Sequence, residues 1–200
     1  YITHPNGYQT VYAHLKKFAP EIETFIKAQQ YSLEKYEVQF FPEPDDFPVD
    51  ELELIGYSGN TGSSGGPHLH FEIRDSQSRP MNPFLFGLDK AKDSRPPTIR
   101  NVFAYTASED AHVDNKQGKI KLKLNKQPNG DFKATEITAS GKLFFGVEAY
   151  DRLDDAWNKN GYYCATVELN GRPFFTATFD RFSYDESRYM NRMVDYRHRM

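Results

Sequence analysis

Gly56-Tyr-Ser-Gly-Asn-Thr-Gly-Ser-Ser-Gly-Gly-Pro-His-Leu-His-Phe-Glu-Ile73 is the stretch on which the reading of this chain turns. Five glycines and Pro67 mark a loop, and the residues after Pro67 alternate polar with apolar: His68, His70 and Glu72 against Leu69, Phe71 and Ile73. Strict alternation is the signature of a half-buried strand, whose successive side chains take opposite faces. Leu69, Phe71 and Ile73 are therefore expected in a core, with His68 and His70 together on the other face. At a rise of about 3.3 Å per residue their Cα atoms stand about 6.5–7 Å apart, close enough for two imidazoles to address one metal ion and its water. A pair of solvated surface histidines is the plainer alternative, and the glycine-rich approach, the proline and the alternation weigh against it. The glycines do not make a nucleotide cradle, because no Gly-Lys-Ser/Thr follows and the next element is a strand rather than a helix. They read instead as positions that allow left-handed backbone and close approach by another chain.

Working outward toward the N-terminus, His4-Pro5-Asn6-Gly7 is a hairpin signal, and Tyr8 to Leu15 again alternates. Tyr8, Thr10, Tyr12 and His14 are expected on one face, Val11, Ala13 and Leu15 on the other. A short helix is expected over Ala19–Ala28, where Ile22, Phe25 and Ile26 recur at helical spacing behind Pro20. Tyr31–Phe41 reads as extended until the prolines at 42, 44 and 48 break it, and Val49–Tyr57 reads as the strand that enters the glycine loop. The acidic residues near Asp45 and Asp46 read as a solvated loop.

Toward the C-terminus, Met81-Asn82-Pro83-Phe84 marks the edge of a first domain, and Asp89–Pro97, charged and ending in Arg95-Pro96-Pro97, reads as a linker. Beyond it, strand-like segments at Ile99–Tyr105, Lys119–Leu124, Lys142–Tyr150, Tyr162–Leu169 and Pro173–Phe182 are separated by turn signals such as Asn129-Gly130 and Asn170-Gly171. Short strands without helical period suggest an immunoglobulin-like β-sandwich, with Phe144, Phe145, Phe174, Phe175 and Phe179 as strand and core residues. Asp151, Asp154 and Asp155 fit no calcium-loop spacing and read as a turn. The fold class expected is all-β dominated: a first domain over 1–88 with an insertion at about 18–46, a linker over 89–97, and a β-sandwich-like domain over 98–200.

Composition narrows the function classes. The 200 residues carry a net charge of −3 and are 38% hydrophobic, enough for a real core and without general attraction for nucleic acid or anionic membranes. No apolar run approaches the roughly 18–20 residues that span a bilayer. Cys164 is the sole cysteine, so an internal disulfide is ruled out.

Taken together, Asn6-Gly-Tyr-Gln-Thr-Val-Tyr-Ala-His14-Leu15 and Gly59-Asn-Thr-Gly-Ser-Ser-Gly-Gly-Pro-His68-Leu-His70-Phe-Glu72 resemble the lysostaphin-type (LytM-like) zinc metallopeptidases over roughly residues 1–86. The resemblance implies an antiparallel β fold with a groove, one zinc ion as cofactor, and hydrolysis of peptide bonds in peptidoglycan, whose peptides would be the partners. By the family pattern His70 is a zinc ligand, while His14 and His68 are catalytic histidines flanking the metal-bound water. Tyr8, Thr10, Tyr12 and Asn60 are candidates for lining the groove. A cell-wall substrate implies a periplasmic or extracellular location. An alternative within the same resemblance is a non-catalytic module that binds the wall or activates an amidase.

The family takes its other zinc ligands from an upstream His-x-x-x-Asp, and that spacing occurs nowhere here: His112-Val113-Asp114 is too short and His198 has only two residues after it. Since Tyr1 falls inside what reads as a strand, the expectation is a piece of a longer, active protein, cut at its N-terminus. The stop at Met200, without turn or cap, reads as a second cut. The 200-residue chain is accordingly predicted to bind zinc only weakly and to be inactive by itself. Calorimetric titration with zinc checks this, and a submicromolar dissociation constant would overturn it.

Overall fold

The computed structural model describes residues 1–62, 65–87 and 91–196, so Ser63 and Ser64 of the glycine loop, Asp89 and Lys90 of the expected linker, and the chain end from 197 lie outside the described residues. The chain divides into two compact units, Tyr1–Met81 and Asn82–Met200. Strands and antiparallel pairings dominate both, in keeping with the all-β expectation.

In the first unit the Asn6-Gly7 turn forms as expected. Gly7 takes φ of +84° and donates its N–H to the His4 carbonyl at 2.9 Å. The turn joins β1 (Ile2–Thr3) to β2 (Gln9–Ala13), and β2 pairs in turn with β5 (His70–Arg74), which pairs with β6 (Pro80–Met81). In β2 both faces are covered: Thr10 and Val11 are buried, and the Thr10 hydroxyl is bonded to His4 Nε2 at 2.9 Å. A second ribbon, β3 (Leu15–Phe18) with β4 (Gly56–Ser58), leads into the glycine loop.

Three local expectations give way. Of the residues assigned to the core face of the His68–Ile73 strand, only Ile73 is buried; Leu69 and Phe71 stay exposed, Phe71 against the Tyr12 ring at 5.5 Å. The helix α1 (Pro20–Leu33) runs past Ala28 and absorbs the first residues of the segment read as extended. Gln29 and Gln30 are good helix formers, and no strand among the described residues pairs residues 35–41, so adding helical residues costs less than starting an isolated strand. Glu34 stops the helix in left-handed backbone, its N–H reaching the Tyr31 carbonyl at 3.3 Å. Of the Val49–Tyr57 strand, only the end at Gly56–Ser58 forms.

In the second unit, each of the five expected strand segments contains a strand. β7 (Thr98–Thr106) is central, between β13 (Leu143–Tyr150) and β9 (Lys119–Lys121). β8 (His112–Val113) pairs with β12 (Ala139–Ser140), β10 (Leu124–Lys126) with β11 (Phe132–Ala134), and β14 (Cys164–Leu169) with β15 (Arg172–Thr178). Asn170-Gly171 turns the last hairpin with both residues at positive φ, as a two-residue hairpin turn demands. The core centres on Ala104, Val113 and Leu122. Phe144, Phe145, Phe174 and Phe175 are not in it: all four are exposed, although Phe145 registers with the buried Ala104 and Phe144 stacks on Tyr105 at 4.7 Å.

One glycine of the loop is fixed by space. A Cβ on Gly59 would sit 2.5 Å from the backbone nitrogen of Lys16 and 2.7 Å from its Cα, whereas one on Gly65 would meet nothing within 4 Å. Backbone cannot yield as a flexible side chain can, so Gly59→Ala is predicted to destabilise the first unit by about 1–3 kcal/mol. Gly65→Ala should stay within about 0.5 kcal/mol of the parent in urea denaturation, and equal effects of the two would refute the steric explanation.

Candidate active site: three histidines from two segments

His70 opens β5, opposite Ala13 of β2. His68 sits two residues earlier, where an isolated bridge to Gly59 holds it, its N–H donating to the Gly59 carbonyl at 3.0 Å. His14 lies between β2 and β3 in left-handed backbone, φ +59°. The structure brings the three rings together: the His14 ring centroid is 4.7 Å from that of His68 and 5.7 Å from that of His70.

The kink at His14 decides which face it joins. Thr10 and Tyr12 register with Ile73 and Phe71, so they occupy the strand face opposite His70. Regular alternation would have kept His14 with them, and the positive φ breaks it. Of the groove candidates, Thr10 is therefore buried away from the histidines, and Tyr8 is half-buried beside the turn. Tyr12 packs on Phe71 and also borders, with His14, a cavity of about 400 Å³. Asn60 is exposed in the loop, next to Thr61.

Each imidazole has one nitrogen committed to an acceptor. His14 Nδ1–H donates to the Thr61 carbonyl at 2.7 Å, and His68 Nδ1–H to the Gly66 carbonyl at 2.8 Å. A carbonyl can only accept, so in the neutral rings of His14 and His68 the lone pair is on Nε2. His70 is the reverse: Nε2–H donates to Glu72 Oε1 at 2.7 Å, which leaves the lone pair on Nδ1. The Thr61 hydroxyl donates to the Leu15 carbonyl at 3.0 Å, tying the loop to the kink from both sides.

Glu72 gains a role that its place in the sequence motif did not supply. It stands between His70 and Arg74 on one face of β5, and Arg74 Nε donates to its second oxygen at 2.7 Å. Burial pushes the Glu72 carboxyl up, but the bonds from Arg74 and then His70 outweigh it, and the group is held below the usual carboxylate range. The signal was present as His70-x-Glu72-x-Arg74, a cation–anion–imidazole series at strand period. The backbone acceptors Thr61 and Gly66 had no such signal, because a carbonyl belongs to every residue.

A carboxylate behind an imidazole fixes its tautomer and raises its basicity, which is the arrangement common behind metal-ligating histidines. His70 Nδ1 suits that role. Among the described residues, however, no group of three or more His, Cys, Asp or Glu is placed to hold a metal ion, so the donors present do not complete a metal centre. What the site can do by itself is accept and return protons at the Nε2 atoms of His14 and His68.

No family model matches the chain. Over 87 residues, 44% of the chain, it is 34% identical to a DD-carboxypeptidase/endopeptidase Mpg of Neisseria meningitidis serogroup B and 37% identical to the protein of that name from Neisseria gonorrhoeae. Over the same length it is 36% identical to an uncharacterized metalloprotease of Haemophilus influenzae. These names support a metallopeptidase family for the matched stretch. The stretch spans 13–14% of the length of these relatives. No solved structure matches. No helix of the described residues is long and apolar enough to cross a membrane.

The depressed Glu72 carboxyl makes a stability prediction with a definite sign. Its stabilisation is present above the unfolded carboxyl's pKa of about 4.3 and is lost as pH falls through the lower folded value. Glu72→Gln is predicted to cost about 1–2 kcal/mol at pH 7, a difference that shrinks below about pH 4. Urea denaturation of both proteins from pH 3 to pH 7 checks it, and a difference independent of pH would overturn it.

Proposed function

We propose that this chain carries the proton-transfer part of a zinc-dependent endopeptidase of the lysostaphin type, hydrolysing peptide bonds in bacterial peptidoglycan outside the cytoplasm. The observation that carries the reading is the gathering of His14 with the His68-x-His70 pair from two separate stretches of chain, with His70 presenting the opposite ring nitrogen from the other two. The similarity to peptidases and a metalloprotease over 87 residues supports the same reading.

The roles follow from the lone pairs. His14 and His68 each have Nε2 as the basic nitrogen and Nδ1–H fixed on a carbonyl, so either can take a proton from an attacking water and give it to the leaving amine without turning its ring. His70, backed by Glu72, is one metal ligand, and the remaining ligands come from residues other than those described. Zinc, when bound, would polarise the scissile carbonyl and acidify water. In this reading 1–88 is the peptidase domain, 89–97 a linker, and 98–200 an immunoglobulin-like β-sandwich that spaces or presents the substrate.

A second reading, a wall-binding or amidase-activating module without catalysis, is favoured by the lack of a complete metal-holding group among the described residues. Digestion of defined muropeptides by the full-length protein, followed by mass spectrometry, separates the two and also identifies the bond cut. The wild type is expected to release peptide products, and His68→Ala and His14→Asn to lower kcat by about 10²–10⁴-fold. Asparagine is chosen at position 14 because it tolerates left-handed backbone. If the wild type cleaves no muropeptide but stimulates an amidase, the second reading replaces the first.

A further inference from the structure

Beside His14 a cavity of about 400 Å³ opens between the kinked end of β2, β3 and the helix α1. One wall is the chain from Tyr12 to Phe18 with Thr61; the other is α1, through Glu23, Ile26, Lys27 and Gln30, together with Tyr36. The helical wall is anchored to the strand wall. Glu23 Oε2 accepts the Phe18 N–H at 3.0 Å, and the Ala19 N–H donates to the Ile55 carbonyl at 3.0 Å. At the far end Gln30 Nε2 donates to the Tyr36 carbonyl at 2.6 Å.

Charge at this cavity runs against that of the chain as a whole. Lys16, Lys17 and Lys27 line it, with Glu23 as the only carboxylate among the described lining residues, in a chain of net charge −3. Glu23 is already engaged by the Phe18 N–H and, at 3.2 Å, by Lys27. Lys17 lies over the Tyr57 ring at 4.5 Å, whereas Lys16 has no ion pair among the described residues. Exposed ammonium groups beside Ile26 and Leu15 suit an anionic group on a chain with apolar parts.

We propose that this cavity is a substrate subsite that receives a carboxylate of an acidic peptide, held by Lys16 and by Lys27, whose ammonium it shares with Glu23, while the peptide backbone continues past Thr61 to His14. The inference rests on the peptidase reading and gives it a substrate class: peptides with a carboxylate a few residues from the bond cut. The carboxylate could belong to an acidic side chain or to a peptide C-terminus, and the two sources are separable by amidation.

The test uses the full-length protein and one acidic peptide in three forms: unmodified, amidated at its side-chain carboxyl, and amidated at its C-terminus. Each is fluorescently labelled, so that affinity is read by anisotropy and cleavage by product analysis. In the wild type, amidating one of the two carboxyls is expected to weaken binding by about 5- to 20-fold, and the carboxyl responsible identifies the source. In the Lys16→Gln/Lys27→Gln double variant that discrimination should vanish, and in Lys16→Arg/Lys27→Arg it should return. Discrimination that persists in the glutamine variant, or is absent from the wild type, overturns the subsite. Cleavage without discrimination defeats the subsite and leaves the peptidase reading standing, whereas lysine-dependent discrimination without cleavage does the converse.

Discussion

The histidine cluster depends on the antiparallel register of β2 against β5. Pairing Ala13 with His70 sets the end of one strand beside the start of the other, so that the next residue along β2 reaches the imidazole of β5. A slip of one residue would carry His70, Glu72 and Arg74 to the opposite face together. The register is held by burial on both faces of the pair, by Val11 on one and Thr10 with Ile73 on the other, and by the hydrogen bond between His4 and the Thr10 hydroxyl. Two bonds then hang the glycine loop on this frame, from Thr61 to Leu15 and from His14 to Thr61. The loop glycines serve as geometry: Gly59 lets β3 pass at close range, and Gly62 adopts φ of +77° beside the His14 ring.

Much of this was legible in the sequence because the signals are local. The Asn6-Gly7 turn, the alternation through Val11 and the His68-x-His70 pair each follow from a few adjacent residues, and the hairpins of the second unit announce themselves by Asn-Gly. What the sequence withheld depends on neighbours. Phe71 and Leu69 alternate like core residues, yet burial depends on what packs over them, and apart from the Tyr12 ring beside Phe71 they stay exposed. Phe144, Phe145, Phe174 and Phe175 are likewise exposed despite their apolar pattern. The reach of α1 to Leu33 depended on whether residues 35–41 would find a strand partner, which no window of sequence contains.

For the site, the residues and their expected roles came from the motif resemblance, whereas which ring nitrogen each histidine presents did not. That His70 presents Nδ1 while His14 and His68 present Nε2 is set by one carboxylate and two carbonyls, contributed by β5 and by both ends of the glycine loop. The helical insertion read as a surface feature; in the structure it borders the same space as His14, and its lysine joins those of β3 in reversing the sign of the charge there. In the proposed reading, chemistry at the histidines and selectivity at the insertion fall to different stretches of chain, one tightly constrained by registry and the other carried on an exposed helix.

Position 14 answers to two separate demands. Its ring must meet two other imidazoles, and its backbone must turn through φ of +59°, a conformation that costs most side chains about 1–2 kcal/mol and suits Gly, Asn, Asp and His far better. Few residue types take the turn at low cost, and among those histidine alone brings an imidazole. On the proposed reading, glycine, asparagine or aspartate at this place would keep the turn at low cost while removing the imidazole, and would mark a fold kept without its reaction.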